Sequence, residues 1–139
     1  MMSPSALALI AYTAWTLLFA FTVVNFRSIY VFSGKRAANS FEPWGSDVSA
    51  FSGRLCRAHA NCYENLPIFA SIILVALVTD NAGITDSLAR WVVVARVAQS
   101  TVHLISTSPR AVTLRAVIYT VQLLIEGYWI IQLGLLGFS

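Results

Sequence analysis

Residues 57–69 read RAHANCYENLPIF and place polar side chains at the start of an otherwise apolar segment. Arg57, Asn61 and Glu64 stand at i, i+4 and i+7, the spacing that puts side chains on one face of an α-helix. The apolar run that follows is too short to cross a membrane alone, because a spanning helix takes roughly 20 apolar residues. If this segment crosses, its helix begins near Ser49 and carries the polar face into the membrane.

The composition of the whole chain favours that reading. Of its 139 residues, 58% are hydrophobic and 11% are charged, whereas a soluble domain is about a quarter charged. A chain of this size has no interior large enough for so much apolar surface, so lipid is its natural surroundings. The net charge of +3 comes from scattered basic residues, so we expect no nucleic-acid partner.

The apolar segments predict an all-α fold, an integral membrane four-helix bundle forming a single domain over residues 1–139. The predicted helices cover about 5–31, 49–79, 85–106 and 110–136. Four crossings place loops one and three on one side, together with most of the basic residues. The positive-inside rule then makes loops one and three cytoplasmic and puts both termini on the opposite side.

Two further helices repeat the spacing found on helix two. Charged groups within a span cost roughly 2.5–3.5 kcal/mol each to insert, so they usually face a bundle interior. We therefore expect a polar pocket near the cytoplasmic side that suits a small anion, with Arg96 deeper and paired with Glu64 or Glu126. The repeated stripes are Arg96, Ser100 and His103 on helix three, and Arg115, Tyr119, Gln122 and Glu126 on helix four.

The sequence contains no pattern typical of a metal site, a phosphate-binding loop or a serine nucleophile elbow. His59 and His103 stand apart without a zinc-ligand spacing, so we expect no metal. No glycine-rich phosphate loop and no Gly-x-Ser-x-Gly elbow occurs. Cys56 and Cys62 are interpreted as two small residues of a membrane helix.

The opening stretch resembles the second-helix signature Arg-Ala-x-x-Asn-x-x-Glu of the MAPEG superfamily, the membrane-associated proteins in eicosanoid and glutathione metabolism. The segments ARVAQSTVHL (95–104) and LRAVIYT (114–120) are similar to the third and fourth helices of that family. The resemblance covers about residues 50–125. It implies a homotrimer of four-helix subunits that binds glutathione between neighbouring subunits, near the cytoplasmic side.

The resemblance also assigns roles to single residues. Arg115 matches the arginine that stabilises the glutathione thiolate, the nucleophile in such a site, and Arg110 is a second candidate for that role. The residues implied in binding glutathione as co-substrate are Arg57, Asn61, Glu64, Arg96, His103 and Tyr119.

Some positions depart from the family pattern. Ala60 stands where some members have a second arginine, and Ala116 stands where prostaglandin E synthase-like members have a serine. Gln99 and His103 occupy positions that are often His or Tyr in the eicosanoid enzymes. These departures weigh against any particular eicosanoid reaction. Residues of the first loop, Lys35, Arg36 and Asn39, are candidates to cap the pocket.

Three functions remain open at this point. The first is a glutathione-dependent transferase or peroxidase whose lipophilic substrates enter from the bilayer. The second is a non-enzymatic lipid-binding or scaffold protein, like the lipoxygenase-activating branch of the same superfamily. The third is a small multidrug-type transporter, a class that usually has its essential carboxylate in the first helix, where this chain has none.

Overall fold

Four α-helices make up the computed structural model, which describes residues 1–137. They are α1 (Pro4–Phe32), α2 (Ala50–Val78), α3 (Gly83–Ile105) and α4 (Pro109–Leu136). Every end lies within two residues of the position predicted from the sequence. No strand occurs within residues 1–137, so the predicted all-α class is confirmed.

Serine residues cap the N-termini of three of the helices. Each serine oxygen accepts a hydrogen bond from a backbone N–H of the first turn, which would otherwise have no partner. Proline at the first position of α1 and α4 adds a preset φ angle. The capping serines are Ser3 for α1, Ser49 for α2 and Ser108 for α4.

Helices α1, α2 and α4 are long and apolar enough to cross a membrane. Helix α3, with 23 residues, is about 34 Å long, but it is less apolar because it carries the polar stripe predicted for it. That stripe is turned inwards: Arg96, Gln99, Ser100 and His103 are all buried. Three long apolar helices and a fourth with its polar side inside fit a membrane protein.

Helix α3 packs against the other three helices, whereas α2 and α4 meet only over a short length. Aromatic rings fill that short contact and join it to α1. The ring of Phe69 lies 5.2 Å from that of Tyr12 and 6.2 Å from that of Trp129, between ring centroids. A cavity lined by residues of α2, α3 and α4 lies beside the first loop.

Candidate functional site

The cavity between α2, α3 and α4 has a volume of about 540 Å³ and opens beside the first loop. It is lined by Trp44 from that loop; by Arg57, Ala60, Asn61 and Glu64 from α2; by Gln99 and His103 from α3; and by Val112, Arg115, Ala116 and Tyr119 from α4. Three separate polar stripes thus face one space.

Most of the residues predicted for the site lie together here. The cavity walls include Arg57, Asn61, Glu64, His103, Arg115 and Tyr119. Arg110, the second candidate for the thiolate, is exposed and does not line the cavity. The first-loop residues Lys35, Arg36 and Asn39 do not line it either.

Two arginines face the cavity without an anionic partner. Among residues 1–137, neither Arg57 nor Arg115 forms an ion pair, and the Nε atom of Arg115 is buried without an acceptor. Both arginines line the same cavity as His103. Uncompensated positive charge in a cleft attracts anions.

A carboxylate completes the set of charges. Glu64 lies 14 residues after the start of α2, at the middle of its 29 residues, and is exposed to the cavity. That position is about 21 Å along the helix from its beginning. The cavity therefore holds two cationic side chains, Arg57 and Arg115, and one carboxylate, Glu64, about 10 Å further along α2 than Arg57.

Arg96 lies just below the cavity, buried among aromatic rings. Its guanidinium carbon is 5.4 Å from the ring centre of Tyr12 and 5.3 Å from that of Tyr119. Its Nη1 atom donates a hydrogen bond of 3.1 Å to the backbone oxygen of Asn61. Arg96 thus supports two members of the cavity wall, Asn61 and Tyr119, from behind.

The expected ion pair of Arg96 with Glu64 or Glu126 was wrong. In the described part of the chain the only ion pair joins Arg36 and Asp47 in the first loop. Glu126 instead accepts a hydrogen bond of 2.8 Å from Asn65. Two aromatic ring faces and a backbone oxygen surround the Arg96 guanidinium instead of a carboxylate. Ring faces at such distances attract a cation.

Amide and small side chains form the rest of the wall. Gln122 donates to the side-chain oxygen of Gln99 at 3.0 Å, which fixes the amide of Gln99 at the cavity. Ala60 and Ala116, the positions that depart from the family pattern, both line the cavity. Their small side chains leave the wall without a third arginine and without a hydroxyl at these points.

Sequence reasoning missed two contributors. Trp44 lies in a loop without periodicity, so no spacing indicated it. Tyr12 is a tyrosine in a largely apolar helix, and nothing in its neighbours pointed to Arg96. Within residues 1–137 no group of three His, Cys, Asp or Glu side chains could hold a metal ion.

Comparison with known proteins gives one result. No curated protein and no solved structure matches this chain. The family model described as the MAPEG family matches residues 5–135, nearly the whole chain. The chain therefore belongs to the MAPEG family, the membrane-associated proteins in eicosanoid and glutathione metabolism.

Proposed function

We propose that this protein is a membrane-embedded, glutathione-dependent transferase or peroxidase that acts on lipophilic electrophiles. The observation that carries the proposal is the pair of arginines, Arg57 and Arg115, that face one cavity without a carboxylate partner among the described residues. Family membership supports the class of protein.

The charges of the cavity complement those of glutathione. The tripeptide carries two carboxylates, one ammonium group and a thiol. Arg57 and Arg115 suit a carboxylate and the thiolate, since guanidinium groups pair strongly with anionic oxygen and sulfur. Glu64 suits the ammonium group. The side-chain amides of Asn61 and Gln99 suit the peptide groups between them.

Arg115 has the role of stabilising the sulfur anion. A nearby guanidinium favours the thiolate over the thiol, and the thiolate is the reactive form. Bound glutathione supplies this nucleophile for an electrophilic carbon or a peroxide oxygen. Arg96 holds Tyr119 and the Asn61 backbone, so it positions the wall on which the tripeptide lies.

We propose a homotrimer, which the family resemblance implies and which the exposure of Glu64 supports. A carboxylate exposed at the middle of an apolar helix would face lipid in an isolated chain, at a cost of several kcal/mol. A neighbouring copy that covers the cavity mouth removes that cost and encloses the glutathione. With loops one and three in the cytosol and both termini on the opposite side, the cavity opens towards cytosolic glutathione.

The test is calorimetric titration of glutathione into the detergent-purified protein, beside Arg115→Ala and Glu64→Ala. We expect saturable binding that each substitution weakens about tenfold or more, the effect of losing one charge-assisted contact. Arg110→Ala is the matched control, since this arginine precedes Arg115 by five residues on the same helix and does not line the cavity.

Absence of binding by a well-folded oligomer at millimolar glutathione would contradict the proposal. The cavity would then belong to a non-enzymatic lipid-binding or scaffold protein, the alternative within the same family.

A further inference from the structure

A groove of about 420 Å³ lies between α1 and α3, near the end of the bundle where both helices begin. Leu7 and Ala11 from α1 and Val93 and Val94 from α3 line it, and Arg90 is the charged side chain among its lining residues. Leu7 is 53% exposed and Val94 is 54% exposed. The groove therefore faces outwards, where a membrane protein meets lipid.

Arg90 lies below the membrane surface. It stands seven residues after Gly83, the first residue of α3, which is about 10 Å along the helix. Since the whole helix is about 34 Å long and a hydrocarbon core is about 30 Å thick, the backbone at this position lies inside the core. The side chain is exposed, and side chains of a helix tilt towards its N-terminus. This tilt directs the guanidinium group of Arg90 back towards the lipid headgroups.

No carboxylate in the described part of the chain forms an ion pair with Arg90. Asp86 lies one turn earlier, but its Oδ1 atom accepts hydrogen bonds from the backbone nitrogen of Ser5 at 2.9 Å and from Oγ of Ser5 at 2.6 Å. Neither Asp80 nor Asp86 lines the groove. The guanidinium carbon of Arg90 lies 5.4 Å from the ring centre of Trp91, and tryptophan is enriched at the boundary between membrane and water. The charge of Arg90 is thus left for a group at that boundary.

We propose that the groove binds an anionic phospholipid, with the phosphate on Arg90 and an acyl chain between Leu7 and Val94. A guanidinium group pairs with phosphate through two parallel hydrogen bonds. This pairing offsets the cost of a cation that is exposed below the membrane surface. A headgroup with net negative charge is favoured over a zwitterionic one, because the ammonium group of the latter opposes the arginine. The small side chain of Ala11 leaves room for the acyl chain.

This lipid site is separate from the cavity beside the first loop. On α3 that cavity is lined by Gln99 and His103, and His103 lies thirteen residues after Arg90, about 20 Å further along the helix. The inference therefore does not rest on the binding of glutathione.

Trp91 serves as the reporter of the test, because bromine atoms on an acyl chain quench the fluorescence of a nearby indole. The full-length protein is reconstituted in vesicles that mix phosphatidylglycerol with phosphatidylcholine, with brominated chains on one lipid at a time. Subtracting the fluorescence of Trp91→Phe isolates the signal of Trp91. We expect phosphatidylglycerol to be enriched beside Trp91 about fivefold over random mixing, the effect of one arginine on an anionic headgroup.

Substitutions of Arg90 test the headgroup contact. Arg90→Gln should reduce the enrichment to that of random mixing, and Arg90→Lys should keep most of it because the charge remains. Arg110→Gln is the matched control, since Arg110 is also an exposed arginine and does not line the groove. Equal enrichment in the wild-type protein and in Arg90→Gln would overturn the proposal.

A substitution that fills the groove tests the acyl chain. Ala11→Phe should lower the quenching of Trp91 by brominated chains, whereas Ala14→Phe, at an exposed position of α1 outside the groove, should not. Unchanged quenching in Ala11→Phe would show that no chain lies in the groove. If neither brominated lipid quenches Trp91 in the wild-type protein, a second copy of the chain covers this face and the proposal fails.

Discussion

Asn65 on α2 donates a hydrogen bond of 2.8 Å from Nδ2 to Oε1 of Glu126 on α4, inside the bundle. Both residues are almost fully buried, at 1% and 2% exposure. This hydrogen bond links α2 and α4, which otherwise meet over a short length. We therefore expect Asn65→Ala to lower the free energy of unfolding by about 2 kcal/mol, because it leaves a buried carboxyl group without its donor. Thermal unfolding in detergent measures this.

Asn25→Ala is the matched control. Asn25 is exposed on α1, and its Nδ2 atom bonds only to the backbone oxygen of Phe21, one turn earlier. The expected change is below about 0.5 kcal/mol. The double variant Asn65→Leu with Glu126→Leu should lose less than the sum of its single variants, since neither partner is then left alone. Equal effects of Asn65→Ala and Asn25→Ala would show that the buried hydrogen bond contributes nothing.

Gly45→Ala should destabilise the first loop more than Gly34→Ala does. Both glycines have positive φ angles, +66° and +70°, so alanine costs about 1 kcal/mol at each through the backbone. Only at Gly45 would the added Cβ meet α2, at Cys56 and Ser52. The rate at which a protease cleaves the first loop measures this difference between the two variants. Equal cleavage of the two variants would mean that the loop does not need its close approach to α2.

The helices and most of the cavity were predictable because they follow from periodicity. Spacings of four and three residues along a helix fix which side chains share a face, whatever the neighbouring helices do. Arg57, Asn61 and Glu64 therefore lie in one wall as the pattern indicated. Arg115 and Tyr119 follow from the same rule on α4.

Contacts between helices were not predictable in the same way. The partner of Arg96 depends on the rotation of three helices about their axes, and a one-residue change moves a side chain by about 100°. Asn65 directly follows the stripe residue Glu64. The rotation of about 100° between the two residues turns Asn65 towards Glu126 inside the bundle. Trp44 lies in a loop, where tertiary contacts of Arg27 and Gly45 set its position.

The Arg36–Asp47 ion pair predicts a response of the first loop to acid. The arginine beside Asp47 lowers the pKa of this carboxyl group below its ordinary value of 3.8. The pair therefore stabilises the loop above pH 3.8 and loses this effect as the pH falls through the lower, folded-state pKa. Pepsin should cut the wild-type loop more slowly than the Asp47→Asn loop at about pH 4.5, and equally fast at about pH 2. A constant difference across this range would exclude the ion pair as its cause.

Arg115 is expected to set the pH at which bound glutathione forms its thiolate. A guanidinium group within a few ångström of the sulfur favours the anion, so Arg115→Ala should raise the midpoint of thiolate formation by about one pH unit or more. Arg115→Lys should keep part of the effect, because a lysine retains the charge without the planar fork. Ultraviolet absorbance of the thiolate, followed during titration of the saturated protein, measures the midpoint. Arg110→Ala should leave it unchanged, since Arg110 does not line the cavity. A larger change for Arg110→Ala than for Arg115→Ala would transfer the role to Arg110 and require the start of α4 to turn towards the bound sulfur.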